Sequence, residues 1–90
     1  MDARAQILIS GRVQGVFFRS WLRNHSKIRN LTGYARNTED GSLEAVLEGQ
    51  KEAIQEIIDR CHDGPGTASV TEVKVEWLEP TKSFESFEIR

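Results

Sequence analysis

The chain has 90 residues, a length that suits one domain spanning residues 1–90 with a modest hydrophobic core. Its 12 basic and 14 acidic residues give a net charge of −2, without any block of like charge, and this balance argues against a nucleic-acid partner. No apolar run approaches the roughly 20 residues needed to cross a bilayer, so no membrane partner is expected.

The N-terminus lacks the cationic flank and apolar stretch of a signal peptide, which favours a cytoplasmic protein. Cys61 is the single cysteine, so an internal disulfide is excluded and a cysteine-based metal site is disfavoured.

The first predicted element is a strand over residues 5–13, where apolar and polar residues alternate before Gly15. A helix is predicted from about residue 18 to 29, and Asn30 is expected to close it in a left-handed conformation. The expected inward residues of this helix are Phe18, Trp21, Leu22 and Ile28.

Two further strands are predicted at 32–38 and 43–48, joined by a hairpin turn at Asp40-Gly41. On the second of these strands Glu44 and Glu48 are expected to be solvated. An amphipathic helix is predicted at about 51–62, with an inward stripe of Ala53, Ile54, Ile57, Ile58 and Cys61.

The last two predicted elements are a strand at 70–78, with Trp77 in the core, and a short strand within residues 84–90. The resulting order, β-α-β-β-α-β plus a terminal strand, predicts an α+β fold. Specifically, it favours a ferredoxin-like split β-α-β sandwich, an antiparallel sheet with two helices on one face. This architecture serves many functions, so function must be inferred from a site.

The loop from Gly11 to Arg19 is the first candidate site. Its glycines match neither the Walker A motif nor the dinucleotide-binding fingerprint. It nevertheless joins a strand to a helix, where successive backbone N–H groups can bind an anion and Arg19 can add a planar fork of donors. From the residues alone, a plain glycine turn followed by a surface arginine is the favoured alternative.

Asn37 is the second candidate, as a neutral amide that could hold a water or a substrate group at a strand end. An ordinary asparagine beside a turn is the simpler interpretation of that residue type. His25 and His62 fall on polar parts of the two helices, and Cys61 fits the core. No His, Cys or Asp cluster has metal-ligand spacing.

Two segments, "SGRVQGVFFR" (10–19) and "LTGYARNTEDGSLEAVLEG" (31–49), closely resemble the acylphosphatase family. They match its signatures G-x-V-Q-G-V-x-F-R and G-(W/Y)-x-x-N-x-x-D-G-x-(V/L)-E, and "GPGTASV" (64–70) extends the likeness over nearly the whole chain. Departures lie mostly in and just after the first helix, and Tyr34 stands where tryptophan is common.

This resemblance implies that Arg19 grips the oxygens of a phosphoryl group and that Asn37 positions the attacking water. It implies hydrolysis of acyl phosphates, which are carboxyl-phosphate mixed anhydrides, without a metal or cofactor. Separately, the free acidic surface of the chain makes a monomer the simplest expectation. The backbone cradle for the phosphoryl group would be formed by Gln14, Gly15, Val16, Phe17 and Phe18, followed by Arg19.

Three alternatives remain open from the sequence. An RNA-binding module of the same fold would carry an RNA-recognition signature, which is missing here. A domain that binds carbamoyl or acyl phosphate within a larger maturation enzyme would share the loop, although termination at Arg90 favours a stand-alone enzyme. A purely structural or regulatory domain would show no turnover.

Overall fold

In the computed structural model, which describes residues 2–90, two helices pack on a single five-stranded sheet. The elements are β1 (Asp2–Arg12), α1 (Phe18–Ile28), β2 (Thr32–Asn37), β3 (Leu43–Gln50), α2 (Lys51–Cys61), β4 (Ser69–Leu78) and β5 (Phe87–Ile89). Each predicted element is present, with bounds that differ from the expected ones by a few residues. The predicted α+β class and the split β-α-β arrangement are confirmed.

The strand order across the sheet is β4-β1-β3-β2-β5. The first four strands pair antiparallel, but β5 pairs parallel to β2, with Gly33 opposite Phe87 and Ala35 opposite Ile89. The expectation of a wholly antiparallel sheet is therefore wrong, and the sheet is mixed. The reason is the route of the chain: residues 79–86 cross from the end of β4 to the start of β2, so β5 must run alongside β2 in the same direction.

The core lies between the helices and the inward face of the sheet. It includes Ile7 and Ile9 of β1 and Leu43 and Leu47 of β3, all fully buried. The predicted stripe of α2 is confirmed, since its four larger members are buried and Ala53 packs against them.

The predicted inward face of α1 is correct for Phe18 and Leu22 but wrong for Ile28, which is 76% exposed. At 3.6 residues per turn, Ile28 points about 120° away from Leu22. Ser26, one turn after Leu22, occupies the buried position instead. Asn30 has a φ of 58°, which confirms the predicted left-handed end of the helix.

Trp77 was predicted to lie in the core, but it lies at the margin of the core and is 38% exposed. β4 is an edge strand, so α2 covers its side chains only in part, and Val73 and Val75 are also only partly buried. The ammonium group of Lys51 lies over the Trp77 ring, with Nζ 5.0 Å from the ring centroid, in a cation–π contact.

Glu48 is buried, contrary to the expectation of a solvated strand face. Its Oε2 accepts hydrogen bonds from Nη1 of Arg4 at 2.6 Å and from the hydroxyl of Thr81 at 2.9 Å. The backbone N–H groups of Thr81 and Lys82 donate to the same carboxylate at 3.1 and 2.8 Å. Burial acts to raise the pKa of Glu48, but these hydrogen bonds outweigh it and lower the pKa to about 2. The carboxylate thus fastens residues 79–86 to the sheet.

We predict that Glu48→Gln lowers the free energy of unfolding near neutral pH by about 2 kcal/mol, because a charged acceptor of four donors is lost. The Glu48 pKa is depressed in the folded state, so its contribution is present above the ordinary value of 4.5 and is lost as pH falls through about 2. Urea unfolding at a series of pH values should therefore show the two proteins converging across that window.

Glu76→Gln serves as the matched control, because Glu76 is exposed on β4. Its effect on the free energy of unfolding should be small. A stability difference for Glu48→Gln that stayed constant down to pH 2 would contradict the assigned role of the carboxylate.

Candidate functional site

The loop between β1 and α1 alternates between buried and exposed residues. Val13 and Val16 are buried, as is Phe18 at the start of α1, while Gly15 and Phe17 face outward. Gly15 and Phe17 have φ values of 74° and 64°, in the left-handed region, and these two residues curl the chain above the first turn of the helix. The apolar anchors thus hold a short, sharply turned segment of backbone at the N-terminus of α1.

Phe18 is fixed from a second direction by the turn that follows α2. A Cβ placed on Gly64 would lie 2.7 Å from Cε2 of the Phe18 ring, so this close approach requires glycine. Trp21 packs edge-on against the same ring, with centroids 5.3 Å apart. The segment "GPGTASV" therefore contributes to the site by packing on the residue that ends the loop.

Gln14 connects the loop to the turn between β2 and β3. Its side-chain Nε2 donates hydrogen bonds to the backbone oxygens of Thr38, at 2.8 Å, and Ser42, at 2.9 Å. Within the turn, the Ser42 N–H donates to Oγ1 of Thr38 and to Asp40. The hydrogen bonds from Thr38 and Ser42 lower the pKa of Asp40. The loop is thereby held beside the end of β2, where Asn37 lies.

A cleft of about 250 Å³ opens between the loop, α1 and the ends of β2 and β5. It brings Arg19 and Asn37 together, although 18 positions separate them in the chain. Val16 does not line it, because its side chain lies in the core, and Gln14 reaches the β2–β3 turn instead. The lining residues are Val13, Gly15, Phe17, Phe18, Arg19, Ser20, Asn37 and Ile89.

The guanidinium of Arg19 is oriented by Arg90, the residue that follows β5. Its Nη1 donates to the backbone oxygen of Arg90 at 2.9 Å, and the N–H of Arg90 donates in turn to the oxygen of Ala35 at 2.8 Å. The Arg90 guanidinium lies over the ring of Tyr34, 4.2 Å from its centroid. The contact with Arg90 takes one of the five N–H donors of Arg19, and the guanidinium fork borders the cleft.

Ile89 and Arg90 were not predicted as neighbours of the site. A three-residue strand carries no clear periodicity, and nothing local in the sequence reveals that β5 pairs parallel to β2. The "FESFEIR" ending (84–90) predicted a strand but not its partner.

The histidines and the cysteine lie outside this cleft. The His25 ring packs against Trp21 at a tilted angle of 55°, with centroids 4.7 Å apart. Burial, followed by the charge of Arg29, lowers the pKa of His25. Cys61 is fully buried, and burial raises the pKa of its thiol to about 12, which disfavours a nucleophilic thiolate. Within residues 2–90, no group of three or more His, Cys, Asp or Glu side chains is arranged to hold a metal ion, and no helix is long and apolar enough to span a membrane.

A larger groove, of about 410 Å³, lies at the opposite end of the sheet. Its lining mixes cations with carboxylates, including Arg29, Lys82, Asp2 and Glu48. Arg29 is already paired with Glu56 at 3.0 Å, and Glu48 is occupied by its own donors. The smaller cleft at Arg19 is therefore the better candidate for binding an anion.

Comparisons with known proteins point to one family. The profile described as Acylphosphatase matches residues 5–89. An "Acylphosphatase" of Roseiflexus sp. is 46% identical over 87 residues, covering 97% of this chain and 94% of its own length. The crystal structure of an acylphosphatase from Bacillus subtilis superposes with a TM-score of 0.93 at 30% identity, covering 100% of this chain and 99% of that one.

A third match is part of a longer protein. The structure of full-length HypF in the phosphate- and nucleotide-bound form matches 100% of this chain but only 12% of HypF, with a TM-score of 0.90 and 30% identity. The relatives of similar length and the profile match over residues 5–89 agree with the fold and motifs described above, and the chain belongs to the acylphosphatase family.

Proposed function

We propose that this protein hydrolyses acyl phosphates to a carboxylate and inorganic phosphate, and that the cleft at Arg19 and Asn37 is its active site. The observation that carries the proposal is the convergence of the curled β1–α1 loop, the Arg19 guanidinium and the Asn37 amide on one cleft of about 250 Å³. Membership of the acylphosphatase family supports the reaction class.

The phosphoryl group would be held by the backbone N–H groups of residues 14–18 and by Arg19. Successive N–H groups at a helix N-terminus favour an anion, and the positive end of the α1 dipole adds to this attraction. Arg19 would place its planar donors on two equatorial oxygens, where charge is stabilised during transfer. Its hydrogen bond to Arg90 supports this role, because it restricts the guanidinium before substrate arrives.

Asn37 would hold the attacking water by its side-chain amide. The water oxygen forms a bond to phosphorus in line with the leaving oxygen, and the bond between phosphorus and the acyl oxygen breaks. The carboxylate leaves with the electron pair of that bond, and the proton of the water passes to a phosphoryl oxygen. The products are one carboxylate and one inorganic phosphate.

The leaving group explains why no acid or base is assigned. A carboxylic acid has a pKa near about 4, so the carboxylate departs as an anion at neutral pH without protonation. An alcohol leaving group would benefit from a general acid worth about 10²–10⁴-fold, and neither histidine lines the cleft. The cleft therefore suits a mixed anhydride better than a phosphate monoester. We further propose that the enzyme acts as a cytoplasmic monomer without a metal or cofactor.

We predict that the protein hydrolyses benzoyl phosphate in the presence of EDTA and that it hydrolyses a phosphate monoester at least about 10²-fold more slowly. Release of inorganic phosphate at matched substrate concentrations measures both rates. Equal rates on the two substrates, or loss of turnover with EDTA, would contradict the proposed chemistry. The absence of any turnover would favour a structural or regulatory domain.

We predict that Arg19→Ala lowers kcat/KM for benzoyl phosphate by at least about 10³-fold and abolishes measurable phosphate binding, because the charged fork on the equatorial oxygens is lost. The fold should persist, since the contact of Arg19 with Arg90 is a single exposed hydrogen bond. Phosphate titration and circular dichroism check the two statements. Arg60→Ala, on the exposed side of α2, is the matched control and should retain parental activity.

We predict that Asn37→Ala lowers kcat by about 10²-fold or more while inorganic phosphate still binds, because the amide orients water rather than the phosphoryl group. Steady-state kinetics and a phosphate titration separate the two effects. Asn24→Ala, on the exposed side of α1, should change neither. A matching loss of phosphate affinity in Asn37→Ala would instead make Asn37 a phosphate ligand.

A further inference from the structure

Phe17 is the most exposed of the large apolar side chains within residues 2–90, at 83%. It also lies in the left-handed region, with φ 64° and ψ 26°. A bulky residue adopts that conformation at a cost on the order of 1 kcal/mol, whereas glycine or asparagine adopts it more readily. An aromatic side chain at this position is therefore unfavourable both for its backbone and for its exposure.

Neither the fold nor phosphate binding accounts for the Phe17 ring. Val16 and Phe18, its neighbours, already anchor the loop in the core. The proposed phosphate cradle uses the backbone N–H of residue 17, which any residue except proline supplies. The conformation of the loop requires a left-handed residue here but not an aromatic one.

Phe17 lines the cleft that contains Arg19 and Asn37, and Ile89 lines the same cleft with 36% of its surface exposed. Phe17 and Ile89 thus form an apolar rim beside the proposed anion-binding site. An acyl phosphate has the same two parts, a charged phosphoryl group and an acyl group that can be apolar. When the phosphoryl group occupies the loop, the acyl group must extend from it toward the rim or solvent.

We propose that Phe17, supported by Ile89, contacts the acyl group and makes the enzyme select aromatic or larger apolar acyl phosphates over acetyl phosphate. This inference rests on the proposed function. Contact with the hydrocarbon part of the acyl group, which is remote from the breaking bond, is made equally in the ground state and the transition state, so it lowers KM and leaves kcat little changed. An aromatic contact of this kind corresponds to a selectivity of roughly fivefold to tenfold.

The experiment compares kcat and KM for benzoyl phosphate and acetyl phosphate in the parent and in Phe17→Asn. Asparagine tolerates the left-handed conformation, so this variant removes the ring while favouring the loop geometry. The ratio of kcat/KM for benzoyl phosphate to kcat/KM for acetyl phosphate should fall roughly fivefold to tenfold, through a higher KM for benzoyl phosphate. Phe17→Tyr, which keeps the ring, should retain the parental ratio.

Ile28→Asn is the matched control, because Ile28 is also highly exposed but does not line the cleft. Its substrate ratio should equal that of the parent. If Phe17→Asn left the ratio unchanged, or weakened both substrates equally, the inference would be overturned while the proposed function stood. If the parent hydrolysed neither substrate, the proposed function itself would fail, and a shift in ratio could not arise.

Discussion

The two hydrogen bonds from the Gln14 side chain to the backbone of Thr38 and Ser42 determine how the proposed site is assembled. The β1–α1 loop and the β2–β3 turn are distant in the chain, and β3 lies between β1 and β2 in the sheet. Gln14 spans this gap with one neutral side chain that satisfies two backbone acceptors. Because Asn37 immediately precedes the turn, the loop and the amide are placed by the same interaction. Thr38, Asp40 and Ser42 stiffen the turn that receives it.

Residues 79–86 connect the end of the sheet that contains Glu48 with β5, which lies beside the cleft. Glu48 holds this segment by accepting from Thr81 and Lys82, and the segment leads directly into β5. β5 has only three residues, so its placement depends on the preceding segment as well as on its pairing with β2. It ends at Ile89, followed by Arg90, and these residues supply the rim of the cleft and the partner of Arg19. Glu48 and the Arg19 cleft are thus linked by one short stretch of chain.

The sequence predicted the secondary-structure elements, because strands, helices and turns leave patterns in neighbouring residues. Alternation, helical spacing and the Asp40-Gly41 turn predicted every element, and the two family signatures singled out Arg19 and Asn37, which line one cleft. The parallel pairing of β5 was missed because register between distant strands leaves no local pattern. The burial of Glu48 was missed for a related reason: alternation placed it correctly on the outer face, but the segment that covers it is 33 residues away.

The proposed phosphate site and the proposed acyl-group contact use different parts of the loop: backbone N–H groups hold the phosphoryl group, and a side chain would distinguish between acyl groups. The cradle proposed here is made of backbone N–H groups, so it constrains conformation at Gly15 and Phe17 but leaves the side chain at position 17 open. A side chain that neither packs in the core nor contacts the phosphoryl group could vary without loss of the proposed reaction, and its position at the cleft would let it affect only the remainder of the substrate. Phe17 combines a strained backbone with an exposed ring. In the proposed mechanism other atoms hold the anion and the water, so selectivity for the acyl group is the property that this position is best placed to control.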